Sequence, residues 1–110
     1  MALKVYEEAL QLIRDVRPYR LRIAKEDPHH ADQLRRSSKA VAGNIAEADG
    51  SRGRNQQAKF HIALGEARET MAHLEIAVAD GILDTIDATL RNRLNLIIGS
   101  LVKLSRASRQ

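Results

Sequence analysis

The sequence predicts an all-α protein folded as an antiparallel, up-down-up-down four-helix bundle. Two observations carry this. Four segments repeat apolar residues at helical spacing, and short stretches rich in capping and turn residues separate them. The apolar complement is also almost purely aliphatic: 44% of the 110 residues are hydrophobic, yet only Tyr6, Tyr19 and Phe60 are aromatic. Side chains of that kind fill the core of a helical bundle, and a chain of this length supports one domain, residues 1–110.

Helix one is expected over residues 3–25. Leu3, Tyr6, Leu10, Ile13 and Ala24 form one stripe, while Val5, Ala9, Leu12, Val16, Tyr19 and Ile23 form a second, offset by roughly 110° at about 100° per residue. A face this wide contacts more than one neighbour. Pro18 removes a backbone donor inside the pattern, but Tyr19 and Ile23 keep the phase, which predicts a bend and not a loop. Asp27 suits an N-cap and Pro28 the first helical position, so helix two is expected over 28–48. Its stripe is Leu34, Ser38, Val41, Ile45 and Ala48. The intervening Ser37, Ala40, Ala42, Gly43 and Ala46 are small enough to predict close backbone approach.

The turn ADGSRGR contains two glycines and no large apolar residue, with Asn55 as the expected cap of helix three, residues 55–80. So short a turn makes helices two and three antiparallel neighbours. Helix three carries two seams. Phe60, Leu64, Ala67, Met71, Leu74 and Val78 form one. Ala58, Ile62, Gly65, Ala72 and Ile76 form the other, nearly opposite and interrupted by Glu69. One four-helix layer cannot bury both, so the second seam, together with Leu12 and Val16 of helix one, is expected to meet another subunit. Gly81 is placed for a left-handed helix end and Asp84 for the cap of helix four. That helix carries Ile86, Leu90, Leu94, Ile97, Leu101 and Leu104 and ends near Arg106, leaving the closing SRASRQ to fray.

Function classes narrow quickly. With no cysteine there is neither a disulfide framework nor thiolate chemistry. Acids within MALKVYEEALQL interrupt any secretory apolar run, and no stretch approaches the roughly 20 apolar residues that cross a bilayer, so a cytoplasmic protein without membrane contact is expected. Ferritin-like bundles hold metals with Glu-x-x-His pairs. Here Glu69 and His73 stand four apart, His29 and His30 are adjacent, His61 is isolated, and no Glu-x-x-His occurs. There is no Gly-x-Ser-x-Gly elbow, and Gly50 and Gly53 lack the Lys-Ser/Thr ending of a phosphate-binding loop. The expectation is a non-enzyme without catalytic residues, cofactor or metal.

Eighteen Lys and Arg against 14 Asp and Glu give a net charge of +4, which favours anionic partners. Arg35, Arg36 and Lys39 share the outward side of helix two, and Arg52, Arg54 and Lys59 follow in the turn and first turns of helix three. No acid intervenes from Gly50 to Gly65, and free backbone N–H groups at the start of helix three add to the field, outlining a phosphate cradle for RNA or DNA. The scarcity of aromatics argues against base stacking and for weakly sequence-specific backbone contact. Asn44 and Glu47 are expected to bond the turn backbone or the first turn of helix three, with a ligand role as the alternative. The competing reading of the whole surface is a structural or protein-interaction bundle whose charge is incidental.

The run QLRRSS, then NIAEADG, RGR, Phe60 and IALGEARE, resembles the signature of the four-helix-bundle family named for reading frames inside intervening sequences of bacterial 23S ribosomal RNA genes, a family similar to the accessory protein of diversity-generating retroelements. The resemblance is strongest over residues 33–83. It implies a small helical bundle, often a homopentameric ring, acting beside a larger nucleic-acid-processing protein. Ala48 stands where glycine is usual after NIAE, and Glu66 where serine is usual after the IALG segment.

Overall fold

The computed structural model describes residues 3–107, and side chains from 4 to 106. Four helices are present, α1 (Leu3–Ala24), α2 (Pro28–Asp49), α3 (Gly53–Ala79) and α4 (Ala88–Ala107), with no strand among the described residues. Each packs on its neighbours in sequence and α4 returns to α1, giving a bundle of 46 × 24 × 19 Å.

α1 runs through Pro18 as one helix, with the proline on its exposed side. Of its two stripes, Val5, Ala9, Leu12, Val16 and Ile23 are buried in the core, while Tyr6, Leu10, Ile13 and Ala24 pack half-buried around them. This corrects one expectation. Leu12 and Val16 are 0% exposed within the single chain, so neither is available to a second subunit. Leu3's side chain and the last three residues of the tail lie outside the described residues.

α2 starts as its capping residues dictate. Asp27 Oδ1 accepts the His30 N–H at 3.1 Å, and Pro28 occupies the first turn, where it forfeits no helical bond. Leu34, Val41, Ile45 and Ala48 are fully buried. Ser37 and Ala42 are also interior, but Gly43 and Ala46 are exposed, and a Cβ added at Gly43 would meet nothing within 4 Å. Close approach therefore does not account for that glycine. Across the α2–α3 contact the buried Thr70 hydroxyl reaches Ser37 Oγ at 2.9 Å, and Ser37 donates to the Leu34 carbonyl at 3.2 Å. The pair satisfies two polar groups that burial would otherwise penalise.

α3 begins earlier than Asn55. Gly53, at φ 57°, turns the chain into the helix and Arg52 is the N-cap residue. Leu64, Leu74 and Phe60 are buried, while Met71 is half-buried. At its far end Gly81 adopts φ 79°; its N–H reaches the Val78 carbonyl and that of Ile82 reaches Ala77, both at 3.0 Å, which is the Schellman pattern. Residues 82–87 then form a strap whose Ile82, Leu83 and Ile86 are buried. Ile86 thus belongs to the link and not to α4, and Asp84 is not the cap. The Asp87 carbonyl accepts the Arg91 N–H, while the Asp87 N–H is held by Tyr19 Oη at 2.9 Å. Leu90, Leu94, Ile97 and Leu101 complete the core.

The α1–α4 seam has a different chemistry. Arg93 donates to Asp15 Oδ2 at 2.7 Å and also pairs with Glu8. Gln11 holds the other Asp15 oxygen at 2.9 Å. Both carboxylates push the guanidinium pKa upward, the Asp15 hydrogen bond most.

Candidate nucleic-acid interface

The six cations singled out in the sequence fall into two groups. On α2, Asp32 Oδ1 accepts from Arg35 at 2.7 and 3.1 Å, and Asp32 Oδ2 lies 3.1 Å from Arg36 Nε. These bonds, the one to Arg35 foremost, hold the Asp32 carboxyl below its usual pKa. One acid therefore offsets part of the charge of two arginines. Lys59 is paired with Glu47 across the α2–α3 turn at 2.7 Å. Lys39, Arg52 and Arg54 are exposed and enter no ion pair among the described residues. At the helical rise, Arg36 stands about 20 Å along α2 from the turn. The α2 cations and the turn cations are thus separate clusters.

The turn cluster surrounds a helix terminus that the chain leaves uncapped. Arg52 makes no side-chain capping bond, and the first turn of α3 carries no acid. The Gln56 N–H closes on the Arg52 carbonyl, and its side chain turns back to the Ala48 and Ser51 carbonyls, each at 3.1 Å. Initial N–H groups of α3, the positive end of its dipole, and Arg52 and Arg54 consequently share one exposed corner, an arrangement favourable to an anion. Asn44 and Glu47 do not serve that corner through their side chains. Asn44 Nδ2 bonds the Ala40 carbonyl in its own helix at 2.8 Å, and the Glu47 carboxylate is taken by Lys59.

A further basic row lies on α1, where apolar periodicity alone does not show it. Arg14, Arg17, Leu21 and Lys25 follow one another at helical spacing on α1 and just beyond its end, all exposed, with Arg20 and Arg22 flanking them. Leu21 is 46% exposed. Arg22 pairs with Glu26 at 2.8 Å and Arg14 bonds Gln11, whereas Arg17, Arg20 and Lys25 enter no ion pair among the described residues. Spacing of three and four between arginines was the signal that could have found it.

The second seam of α3 is exposed throughout. Ala58, Ile62, Gly65, Ala72 and Ile76 face outward, Ile62 at 45% and Ile76 at 53%, with Glu69 among them. Glu66 sits on the shoulder of this face, its carboxyl pKa raised by burial and by neighbouring Glu69. His30 is buried and lies 2.9 Å from the His73 carbonyl through Nε2, while His73 lies 3.4 Å from Glu69. Among the described residues no group of three or more His, Asp or Glu is arranged to hold a metal. No described helix is long and apolar enough to cross a membrane.

Residues 1–103 match the sequence description of the 23S rRNA-intervening sequence proteins. The chain belongs to this family. The bundle is also similar to the crystal structure of a protein of unknown function from the S23 ribosomal protein family of Bacteroides thetaiotaomicron, with a TM-score of 0.81, 23% identity, and coverage of 93% of this chain and 98% of that one. At that identity the likeness shows the shared fold. No curated protein matches the chain. In this 23S rRNA-intervening sequence protein the segments QLRRSS through IALGEARE build the α2–α3 hairpin, bringing Arg52 and Arg54 to its turn and Ile62 to its outer face.

Proposed function

We propose that this protein is a non-enzymatic, cytoplasmic accessory factor that binds the phosphate backbone of RNA or DNA beside a larger nucleic-acid-processing protein. The observation that carries the reading is the uncapped start of α3, where Arg52 and Arg54 stand without an acid partner. An anion there gains backbone N–H donors, the helix dipole and two guanidinium groups at once. Fluorescence anisotropy with random-sequence oligonucleotides tests it. Binding is expected at low salt, falling with a log-log slope of about −0.7 to −0.9 per phosphate contact. R52A/R54A weakens it alike for every sequence, since phosphate contacts position without specifying. Absence of binding at low salt would leave the structural-bundle reading in its place.

Self-association is a second element of the proposal, supported by the exposed Ile62 and Ile76 face. Ala58, Gly65 and Ala72 leave that face smooth enough for another subunit to approach, and covering it removes apolar surface from water. A ring of five rests on the family resemblance alone. Light scattering on wild type and Ile62→Glu tests the contact: an assembly that dissociates on substitution is expected, and a wild-type monomer at micromolar concentration defeats it.

A further inference from the structure

We infer that the α1–α2 seam is a second phosphate-binding surface, shaped for a double-stranded nucleic acid and formed by Arg17 and Arg20 together with Arg35 and Lys39. The inference rests on the backbone-binding function proposed above and adds to it both a site and a class of ligand. Side-chain partners fix which shoulders of the two helices meet. Glu8 and Asp15 of α1 reach Arg93 on α4. The other shoulder, with half-buried Ile13 and Arg20 and exposed Arg17, therefore turns toward α2. On α2, Ser37 bonds Thr70 and Glu47 bonds Lys59, which marks the α3 side. Arg35 and Lys39 are each two residues from Ser37, about 200° around the helix, and so turn toward α1.

The connection between α1 and α2 is only residues 25–27. In an antiparallel hairpin that short, Arg17 stands about level with Arg35, with Arg20 about one turn nearer the connection and Lys39 about one turn further from it. Two cationic rows consequently run side by side. Of the acids nearby, Asp15 is engaged by Arg93 and Asp32 is shared between Arg35 and Arg36.

The geometry favours a duplex over a single strand for two reasons. Rows on packed helices are rigid and about 8–10 Å apart, so they offer cations to the phosphates of two strands flanking a groove. From Arg20 to Lys39 the seam cations run about 10 Å, enough for about three successive phosphates at about 3.4 Å of duplex axis each. A single strand, by contrast, is held chiefly by stacking its bases on exposed aromatics. Here Phe60 is buried, Tyr6 and Tyr19 are half-buried, and the Tyr19 hydroxyl is bonded to Asp87.

The test uses the full-length protein with a 16-base-pair RNA duplex, the equivalent DNA duplex and the corresponding single strands. Anisotropy titrations compare wild type, R17Q/K39Q and R52Q/R54Q across a salt series. Arg17 and Lys39 are exposed, and an unchanged circular-dichroism melt verifies that their replacement leaves the fold intact. R17Q/K39Q is expected to weaken duplex binding by about tenfold at low salt and to lower the magnitude of the salt slope by about two, one per lost phosphate contact. The RNA and DNA arms identify which duplex is preferred. Unchanged duplex affinity in R17Q/K39Q, with weakening in R52Q/R54Q, overturns the second site and leaves the proposed function standing. Tighter binding of single strands overturns the duplex assignment, and no binding by wild type overturns both.

Discussion

Replacing Arg93 tests whether α4 is fastened to α1 by charge. Its guanidinium bridges Asp15 and Glu8, and the three side chains are 23%, 20% and 25% exposed, in that order. Exposed ion pairs contribute at most about 1 kcal/mol, whereas breaking a buried pair costs about 3–5 kcal/mol. At one-fifth to one-quarter exposure the site lies between these limits, so Arg93→Ala should cost about 2 kcal/mol, most of it from two acids left without their cation. For a domain of this size that lowers the melting temperature by about 8–16 °C. Urea unfolding followed by circular dichroism at neutral pH gives the direct measurement. Arg93→Lys should recover only part of the loss, because one ammonium cannot reproduce a fork that spans two carboxylates. The triple replacement R93M/E8Q/D15N should recover most of it, since no charge is then left unpaired. A loss below about 0.5 kcal/mol in Arg93→Ala, or full stability in Arg93→Lys, would refute the argument that the fork bridges these acids in solution.

Gly81→Ala should destabilise by about 1–2 kcal/mol, because φ of 79° places a Cβ against the following carbonyl while the open space around the residue offers no compensating contact; denaturant titration measures it. Asp32 has a folded-state pKa below its unfolded value. Its contribution to stability is therefore complete above the unfolded pKa and lost as pH falls through the folded one. Stability measured against pH should accordingly sag less on the acid side in Asp32→Asn. The same variant frees Arg35 and Arg36 and should bind duplex severalfold more tightly; unchanged affinity would mean that these arginines do not face the ligand.

Periodicity identified the core of α2 and α4 because each has one apolar stripe that dominates, as Leu34, Val41 and Ile45 do on α2, and that of α3 because the bulkier of its two seams, with Phe60, Leu64 and Leu74, goes inward. It failed on α1, where two stripes compete. Which stripe goes inward is settled by the packing of α2 and α4 on either side, and that assigned Leu12 and Val16 to the interior. Local chemistry found the Asp27 cap and the Gly81 turn, both governed by one residue's own geometry. It misplaced the starts of α3 and α4. Asn55 has the right side chain for a cap, but Gly53 enters the helix first. Ile86 keeps the phase of α4 while packing as part of the strap. The basic surface was divided differently in sequence than in space. Arg52, Arg54 and Lys59 are close in the chain and do share a turn, whereas the companions of Arg35 and Lys39 lie on α1, some twenty residues earlier.

The buried strap between α3 and α4 gives the bundle unequal ends. At one end Ile82, Leu83 and Ile86 plug the space between helices, and Tyr19 ties the Asp87 amide from the neighbouring helix. At the other, the α2–α3 turn presents Gly50, Arg52, Gly53 and Arg54 to solvent. Local opening follows the path that exposes least apolar surface, so loosening the hairpin turn uncovers less of the core than opening the strapped end. A ligand seated at the turn would therefore order the softer end of the molecule and leave the stiffer end as its anchor.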